Sequence, residues 1–112
     1  MDTSRAIDVD DAGAFASWLA ANGSEEREVV LAIYKKASGK QTVRFDELLD
    51  VALCHGWIDV QEQALDVERY AIRFTPRRPG SNWSERNRAR ARTLIEAGRM
   101  TPAGLAALPP DL

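Results

Sequence analysis

The sequence predicts an α+β fold in a single domain, residues 1–112: a small, largely antiparallel sheet of about three or four strands covered by about four helices. Segments with the helical spacing of apolar residues alternate along the chain with short runs rich in β-branched residues. Two such runs follow each other across an acidic turn, which is typical of a hairpin. A chain of 112 residues is also long enough to bury its own core without metal ions or disulfides.

The N-terminal half predicts a helix between two strands. Alternation of polar and apolar residues is weak at residues 5–9, so any strand there is short. Residues 10–23 predict a helix, because Phe15 and Leu19 recur one helical turn apart on an apolar face. The run EVVLAIYKK, residues 28–36, is apolar on both faces and predicts a central strand that is buried on both sides.

The middle of the chain predicts a second helix and a hairpin. The segment FDELLDVALCHG, residues 45–56, has the clearest helical pattern, and Asp46 is its expected cap. Residues 58–65 and 69–75 are strand-like, and the second run alternates as a half-buried strand does.

The C-terminal part predicts two helices. Asn82 and Glu85 match the N-x-x-E form of a capping box, so a long helix is expected from there to about residue 97. Thr101 and Pro102 predict the start of a short last helix, since proline is favoured at the first helical position.

Charge is divided unevenly along a chain whose net charge is only -2. Residues 1–68 hold 14 acidic and 6 basic side chains, whereas residues 69–112 hold 9 arginines and 3 acidic side chains. This asymmetry indicates either an anionic partner for the second part or two parts that complement each other within one fold.

The sequence predicts a cytoplasmic protein without membrane insertion. Cys54 is the only cysteine, so no internal disulfide can form, which fits a reducing compartment. The N-terminal segment lacks the basic and apolar regions of a signal peptide, and no apolar run approaches the length of a membrane span.

No motif makes a strong case for catalysis, a metal or a cofactor. Cys54 and His55 are neighbours on a helix and point about 100° apart, with His55 at the edge of the apolar face and Cys54 on the polar side. One histidine and one cysteine are too few for an ordinary zinc site. Asp59 follows Trp57 at the start of a strand, where a carboxylate can orient an arginine, act as a base or solvate the strand end. We therefore assign no catalytic or metal-binding residue and expect no cofactor.

The long C-terminal helix carries arginines at every second position, namely Arg86, Arg88, Arg90 and Arg92. This spacing places them in two pairs on either side of an apolar seam, so they do not form one basic stripe. That geometry disfavours a helix that reads nucleic acid. Asn87 lies in the seam, where its amide must find a partner, either as a brace for a nearby loop or as a ligand contact.

The connector, residues 76–81, holds Arg77 and Arg78 between two prolines and next to a helix N-terminus. Guanidinium groups on a restrained backbone beside free amide donors suit an anion. The alternative is that these arginines form ion pairs with acidic residues of the first part, namely Asp59, Glu62, Asp66 or Glu68.

Several segments, in this order and spacing, resemble one family. They are WLAANG, YKKASGK, ALCHGWID, RYAIRFTPRRPGSNWS, Asn87 and AGRMTPAGL. Together they are similar to the YdeI/OmpD-associated, or bacteriocin-protection, family along nearly the whole chain. The resemblance implies a bacterial cytoplasmic protein linked to envelope stress and to protection against bacteriocins and antimicrobial peptides. It implies no known reaction and no catalytic residues.

The sequence departs from that family at three places. Many relatives have an aromatic residue in place of His55 and a small residue in place of Val60, which disfavours a positive φ there. Many relatives also continue with a further helical segment, whereas this sequence stops at Leu112. A function that needs that segment would be absent here or supplied by a partner.

Together these observations predict a non-enzymatic binding module for an unidentified anionic small molecule or a protein partner, with no oligomeric state specified. The predicted ligand-binding residues are Trp57, Asp59, Arg77, Arg78, Asn82, Trp83, Ser84 and Asn87. One alternative is nucleic-acid binding by the arginine-rich part, which the split arginines disfavour. Another is an enzyme of unknown reaction centred on Asp59.

Overall fold

Four strands and four α-helices form the fold in a computed structural model that describes the whole chain, Met1–Leu112. In chain order they are β1 (Ile7–Asp8), α1 (Ala12–Asn22), β2 (Val29–Tyr34), α2 (Phe45–Cys54), β3 (Trp57–Ala64), β4 (Arg69–Pro76), α3 (Glu85–Glu96) and α4 (Pro102–Ala106), with one 3₁₀ turn at Lys36–Ser38. The predicted α+β class is confirmed. No helix combines the length and the apolar character needed to cross a bilayer.

The sheet has the order β1-β2-β4-β3. Strand β1 pairs with β2 in parallel, whereas β2–β4 and β4–β3 are antiparallel, so the predicted hairpin and the central place of β2 are confirmed. The pairing of β3 steps from Asp59 opposite Phe74 to Gln61 opposite Arg73, which leaves Val60 as the extra residue of a bulge. A bulge on an edge strand interrupts the row of free backbone groups there.

The main core lies between the sheet and helices α1 and α2. Phe15 of α1 packs against Phe74 of β4 with 4.8 Å between ring centroids. Trp57, which opens β3, is 2% exposed and meets Trp18 edge to face at 5.8 Å. A fully buried aromatic side chain removes a large apolar surface from water, so Trp57 fixes the start of β3 against α1.

A second, smaller core joins α3 to α2 and corrects the prediction for Cys54. Its buried members are Leu49, Leu53, Cys54 and Leu94. Cys54 is 4% exposed, although a helical wheel placed it on a polar side of α2. The wheel fails because α3 packs on that side, and burial raises the pKa of the Cys54 thiol.

Two predicted helix caps are also wrong. Helix α2 begins at Phe45 after Arg44, so Asp46 lies in its first turn, where a carboxylate still favours the helix dipole. Helix α3 begins at Glu85, and its cap is the hydroxyl of Ser84, which accepts a hydrogen bond from the Asn87 N–H at 3.1 Å. The predicted start of α4 is confirmed, with Thr101 as cap before Pro102.

The turn between α2 and β3, residues 54–56, holds two separate parts of the chain. The Cys54 carbonyl accepts hydrogen bonds from the Thr101 N–H at 3.0 Å and from the Thr101 hydroxyl at 2.7 Å, which fixes the start of α4. The Gly56 carbonyl accepts one from the Arg77 N–H at 2.9 Å, which fixes the connector. Gly56 has φ +76°, and a Cβ there would lie 2.8 Å from the Ala103 carbonyl oxygen, so this position requires glycine.

Helix α4 approaches this turn so closely that Gly104 has no room for a side chain. A Cβ at Gly104 would overlap the carbonyl oxygen of Cys54. We predict that Gly104→Ala lowers the free energy of unfolding by about 1–3 kcal/mol, because α4 must move away. Urea denaturation measures the change, and Ala106→Ser on the exposed side of α4 is the control, expected within about 0.5 kcal/mol of the parent. Equal effects of the two changes would contradict the close packing.

Candidate functional site

A cavity of about 450 Å³ lies between the connector and the C-terminal segment that includes α4. The turn at residues 54–56 lies between these two walls and hydrogen-bonds to both. We call this space the connector cavity. Its volume falls within the range of small-molecule sites in proteins, about 300–1,000 Å³.

The two walls of the connector cavity differ in chemistry. One wall carries the side chains of Arg77, Arg78 and Ser81. The opposite wall is formed by small and apolar residues, namely Ala103, Ala106, Ala107, Leu108, Pro109 and Pro110. No acidic side chain lines the cavity. The cavity therefore offers positive charge on one side and an apolar surface on the other.

Arg77 is held by its neighbours. Its guanidinium lies over the ring of Trp83, 3.7 Å from the ring centroid, which is a cation–π contact. Its Nη1 donates to the Ser81 hydroxyl at 3.2 Å and to the Asn82 carbonyl at 3.3 Å. Its Nε–H is buried and has no hydrogen-bond partner. Burial lowers the pKa of Arg77, and the charge of Asp59 acts in the opposite direction.

Arg78 is free by comparison. Its side chain is exposed, and no carboxylate lies within 4 Å of it. The ion pairs considered for Arg77 and Arg78 do not form: Asp66 pairs with Arg69, Glu68 pairs with Lys40, and Glu62 has no ion pair. Asp59 acts on Arg77 only through its charge, without a contact within 4 Å. Arg78 therefore brings an unneutralised charge to the cavity.

His55 also lines the connector cavity, between the two walls. It is half-buried, its side chain has no hydrogen-bond partner, and burial lowers its pKa below the ordinary 6.5. Burial therefore favours the neutral imidazole, which can donate one hydrogen bond and accept another. The sequence placed His55 at the edge of the apolar face of a helix, and its place in the cavity was missed because the pattern of α2 does not show where α4 packs.

Four of the eight predicted ligand-binding residues line the connector cavity: Trp57, Arg77, Arg78 and Trp83. Trp57 belongs mainly to the core, and Trp83 is half-buried beneath Arg77. Whether these residues bind a ligand stays a prediction. The sequence did not single out Ser81 or the α4 wall as ligand-binding, although Ser81 lies in RYAIRFTPRRPGSNWS and Ala103 of the wall lies in AGRMTPAGL.

The other four predicted residues lie outside the cavity. Asp59 is half-buried opposite Phe74 and has no hydrogen bond or ion pair, so it is not placed with His55 as an acid–base pair. Asn82 is exposed and contributes only its carbonyl, while the hydroxyl of Ser84 caps α3. The predicted brace by Asn87 is wrong: its side chain is half-buried and makes no hydrogen bond.

The arginines of α3 are partly used inside the fold. Arg90 donates to Asp50 at 2.7 Å and also pairs with Asp46, while Arg88 pairs with Asp111 at 3.1 Å. Arg86 and Arg92 are exposed and have no carboxylate within 4 Å. The spacing predicted that the arginines of α3 lie on two sides of an apolar seam. On each side, one arginine forms an ion pair with an aspartate. No group of three or more His, Cys, Asp or Glu side chains is arranged to hold a metal ion.

A family model described as a domain of unknown function (DUF8412) matches residues 7–107, so the chain belongs to that family. The matched range begins with β1 and ends one residue beyond α4, so it includes every helix and strand of the fold. Searches of curated proteins and of solved structures gave no match.

The contact between Arg77 and Trp83 predicts an energetic coupling. In a double-mutant cycle of Arg77→Gln and Trp83→Leu, we expect the two changes to be coupled by about 1 kcal/mol in the free energy of unfolding. Arg78→Gln combined with Trp83→Leu is the matched control, since it removes the same charge one residue away, and its coupling should lie within about 0.3–0.5 kcal/mol of zero. Chemical denaturation measures both cycles. A coupling no larger than the control would contradict the stacked arrangement.

Proposed function

We propose that this member of the DUF8412 family is a non-enzymatic binding module for a small organic anion, and that the anion occupies the connector cavity. One observation carries the proposal: Arg78, which is exposed and has no carboxylate within 4 Å, lines the same cavity of about 450 Å³ as the apolar wall.

The chemistry of the two walls defines the ligand. The anionic group, a phosphate, sulfonate or carboxylate, binds the guanidinium of Arg78 through charge-assisted hydrogen bonds. Arg77, held by Trp83, Ser81 and Asn82, adds a second positive charge nearby. The apolar part of the ligand packs on the wall that includes Ala107 and Leu108. His55, whose neutral form is favoured by burial, supplies one further donor or acceptor.

We further propose that the similarity to the YdeI/OmpD-associated family extends to biology, so that the protein acts in the bacterial cytoplasm in the response to envelope stress. Three segments that carry the similarity, ALCHGWID, TPRRPGSNWS and AGRMTPAGL, contribute to the surroundings of the connector cavity. That convergence supports a shared binding role. It does not favour direct capture of cationic antimicrobial peptides, because the cavity is itself cationic.

The two other hypotheses have less support. Nucleic-acid binding by α3 would need a continuous exposed basic surface, yet Arg88 and Arg90 are paired with aspartates. An enzyme centred on Asp59 would need a partner group and a substrate space, whereas Asp59 makes no hydrogen bond or ion pair and does not line the connector cavity.

Arg78 provides the direct test of the proposed function. Phenyl phosphate should bind more tightly than inorganic phosphate, because only phenyl phosphate uses the apolar wall. Arg78→Gln should weaken phenyl phosphate binding about tenfold or more, as expected for one charge-assisted contact. Isothermal titration calorimetry at constant ionic strength measures both affinities.

Arg92→Gln is the matched control for this test. It removes the same charge from an exposed and unpaired arginine of α3, and it should leave the affinity within about twofold of the parent, since remote surface charges are screened. Equal losses in the two variants, or no binding of phenyl phosphate to the parent protein, would contradict the proposed site.

A further inference from the structure

A second cavity, of about 570 Å³, lies against the other side of the connector. It is lined by four arginines, Arg27, Arg73, Arg77 and Arg78, and by no acidic side chain. We call it the arginine cleft. Arg27 and Arg73 line only this cleft, whereas His55, Ala107 and Leu108 line only the connector cavity.

The alternation of β4 produces the arginine cleft. Ile72 and Phe74 point into the core, so Arg73 and Thr75 point to the opposite face of the sheet. The antiparallel register places Val29 opposite Phe74, which brings Arg27, just before β2, beside this end of β4. Arginines from the acidic part of the chain, residues 1–68, and from the arginine-rich part, residues 69–112, therefore meet in the arginine cleft.

The positive charge of the cleft is poorly neutralised. Glu28 is the one carboxylate that pairs with any of the four arginines, and its oxygen lies 3.5 Å from Nε of Arg73. Arg27 and Arg78 have no carboxylate within 4 Å, and Arg77 is held by Trp83, Ser81 and Asn82. A concave surface with charges of one sign concentrates the field and attracts counter-ions. The cleft therefore suits a ligand with more than one negative charge.

The lining of the cleft also restricts the kind of anion. Its uncharged members are Ile58, Val60, Thr75, Pro76, Pro79 and Ser81. No aromatic side chain is present, whereas proteins that bind single-stranded nucleic acid stack bases on aromatic rings. The cleft thus offers positive charge and the hydroxyl groups of Thr75 and Ser81, without an aromatic ring on which a base could stack.

We propose that the arginine cleft binds a compact, multiply charged anion of the polyphosphate class, with Arg27, Arg73 and Arg78 as its main contacts. The same chemistry could come from a free polyphosphate or from the phosphate chain of a nucleotide. This site is additional to the connector cavity and does not depend on it, although the two cavities share the connector residues Pro76, Arg77, Arg78, Pro79 and Ser81.

The experiment compares inorganic triphosphate with inorganic phosphate by isothermal titration calorimetry at constant ionic strength and without divalent cations. Triphosphate should bind at least about tenfold more tightly than phosphate, because it meets several guanidinium groups at once. The double change Arg27→Gln/Arg73→Gln should weaken triphosphate binding about tenfold or more. The double change Arg86→Gln/Arg92→Gln, which removes the same charge from exposed positions of α3, should weaken it less than about threefold.

Two further arms identify the source and protect the test against misfolding. ATP should bind no more tightly than triphosphate, since nothing in the cleft stacks on a base; a tenfold gain for ATP would overturn the proposed ligand class. Arg27 is exposed and has no ion pair, so the single change Arg27→Gln leaves the fold intact and should still weaken triphosphate binding severalfold. If both double variants lose the same affinity for triphosphate, the loss reflects only the lower net charge of the protein, and the proposed site is wrong.

The experiments distinguish a failure of the arginine-cleft proposal from a failure of the connector-cavity proposal. Leu108→Asp places a negative charge in the connector cavity alone and should abolish phenyl phosphate binding while leaving triphosphate binding within about threefold. If phenyl phosphate binds the parent protein and triphosphate does not, the cleft proposal is wrong and the connector cavity stands. If triphosphate binding is lost with Leu108→Asp but kept in Arg27→Gln/Arg73→Gln, triphosphate occupies the connector cavity, and the cleft proposal is again wrong.

Discussion

The hydrogen bonds of the turn at residues 54–56 are the constraint on which the rest of the site depends. The Cys54 carbonyl holds the start of α4, and the Gly56 carbonyl holds the connector, so two distant parts of the chain are attached to three consecutive residues. Trp57 follows at once and is buried in the main core, which prevents the turn from moving relative to the sheet. A buried backbone carbonyl without a hydrogen-bond partner destabilises the folded state, so both hydrogen bonds favour the observed arrangement.

The two neighbouring arginines of the connector have different roles as a result. The guanidinium of Arg77 stacks on Trp83 and donates hydrogen bonds to Ser81 and to the Asn82 carbonyl, and so it fixes the shape of the connector. Arg78, one residue on, is exposed and has no carboxylate within 4 Å, so its charge stays available. An anion that binds Arg78 therefore meets a connector that is already ordered, which reduces the entropy lost on binding.

Much of the fold could be predicted from the sequence, because strand and helix periods are local properties: β2, the hairpin β3–β4 and α2 follow directly from them. The errors arise where a second helix buries a residue or where two side chains compete for the same helix cap. The sequence placed Cys54 on a polar helix side, but α3 packs there and buries it. The sequence predicted Asn82 as the cap of α3, but the cap is Ser84. The connector with Arg77 and Arg78 was predicted as a site from its prolines and charges. Its second wall was not, since the contact of α4 with the Cys54 carbonyl joins residues 47 positions apart.

The central claim is that the turn places His55 between the two walls of a cavity that receives an anion. His55 is the only histidine, so its ring protons give one resolvable NMR titration in the untagged protein. In the free protein, burial should place its pKa below the ordinary 6.5. Benzenesulfonate keeps its charge at all pH values used, and at saturation it should raise the pKa of His55, because a nearby anion favours the protonated ring. An unchanged or lowered pKa of His55 in the presence of bound benzenesulfonate would contradict the account.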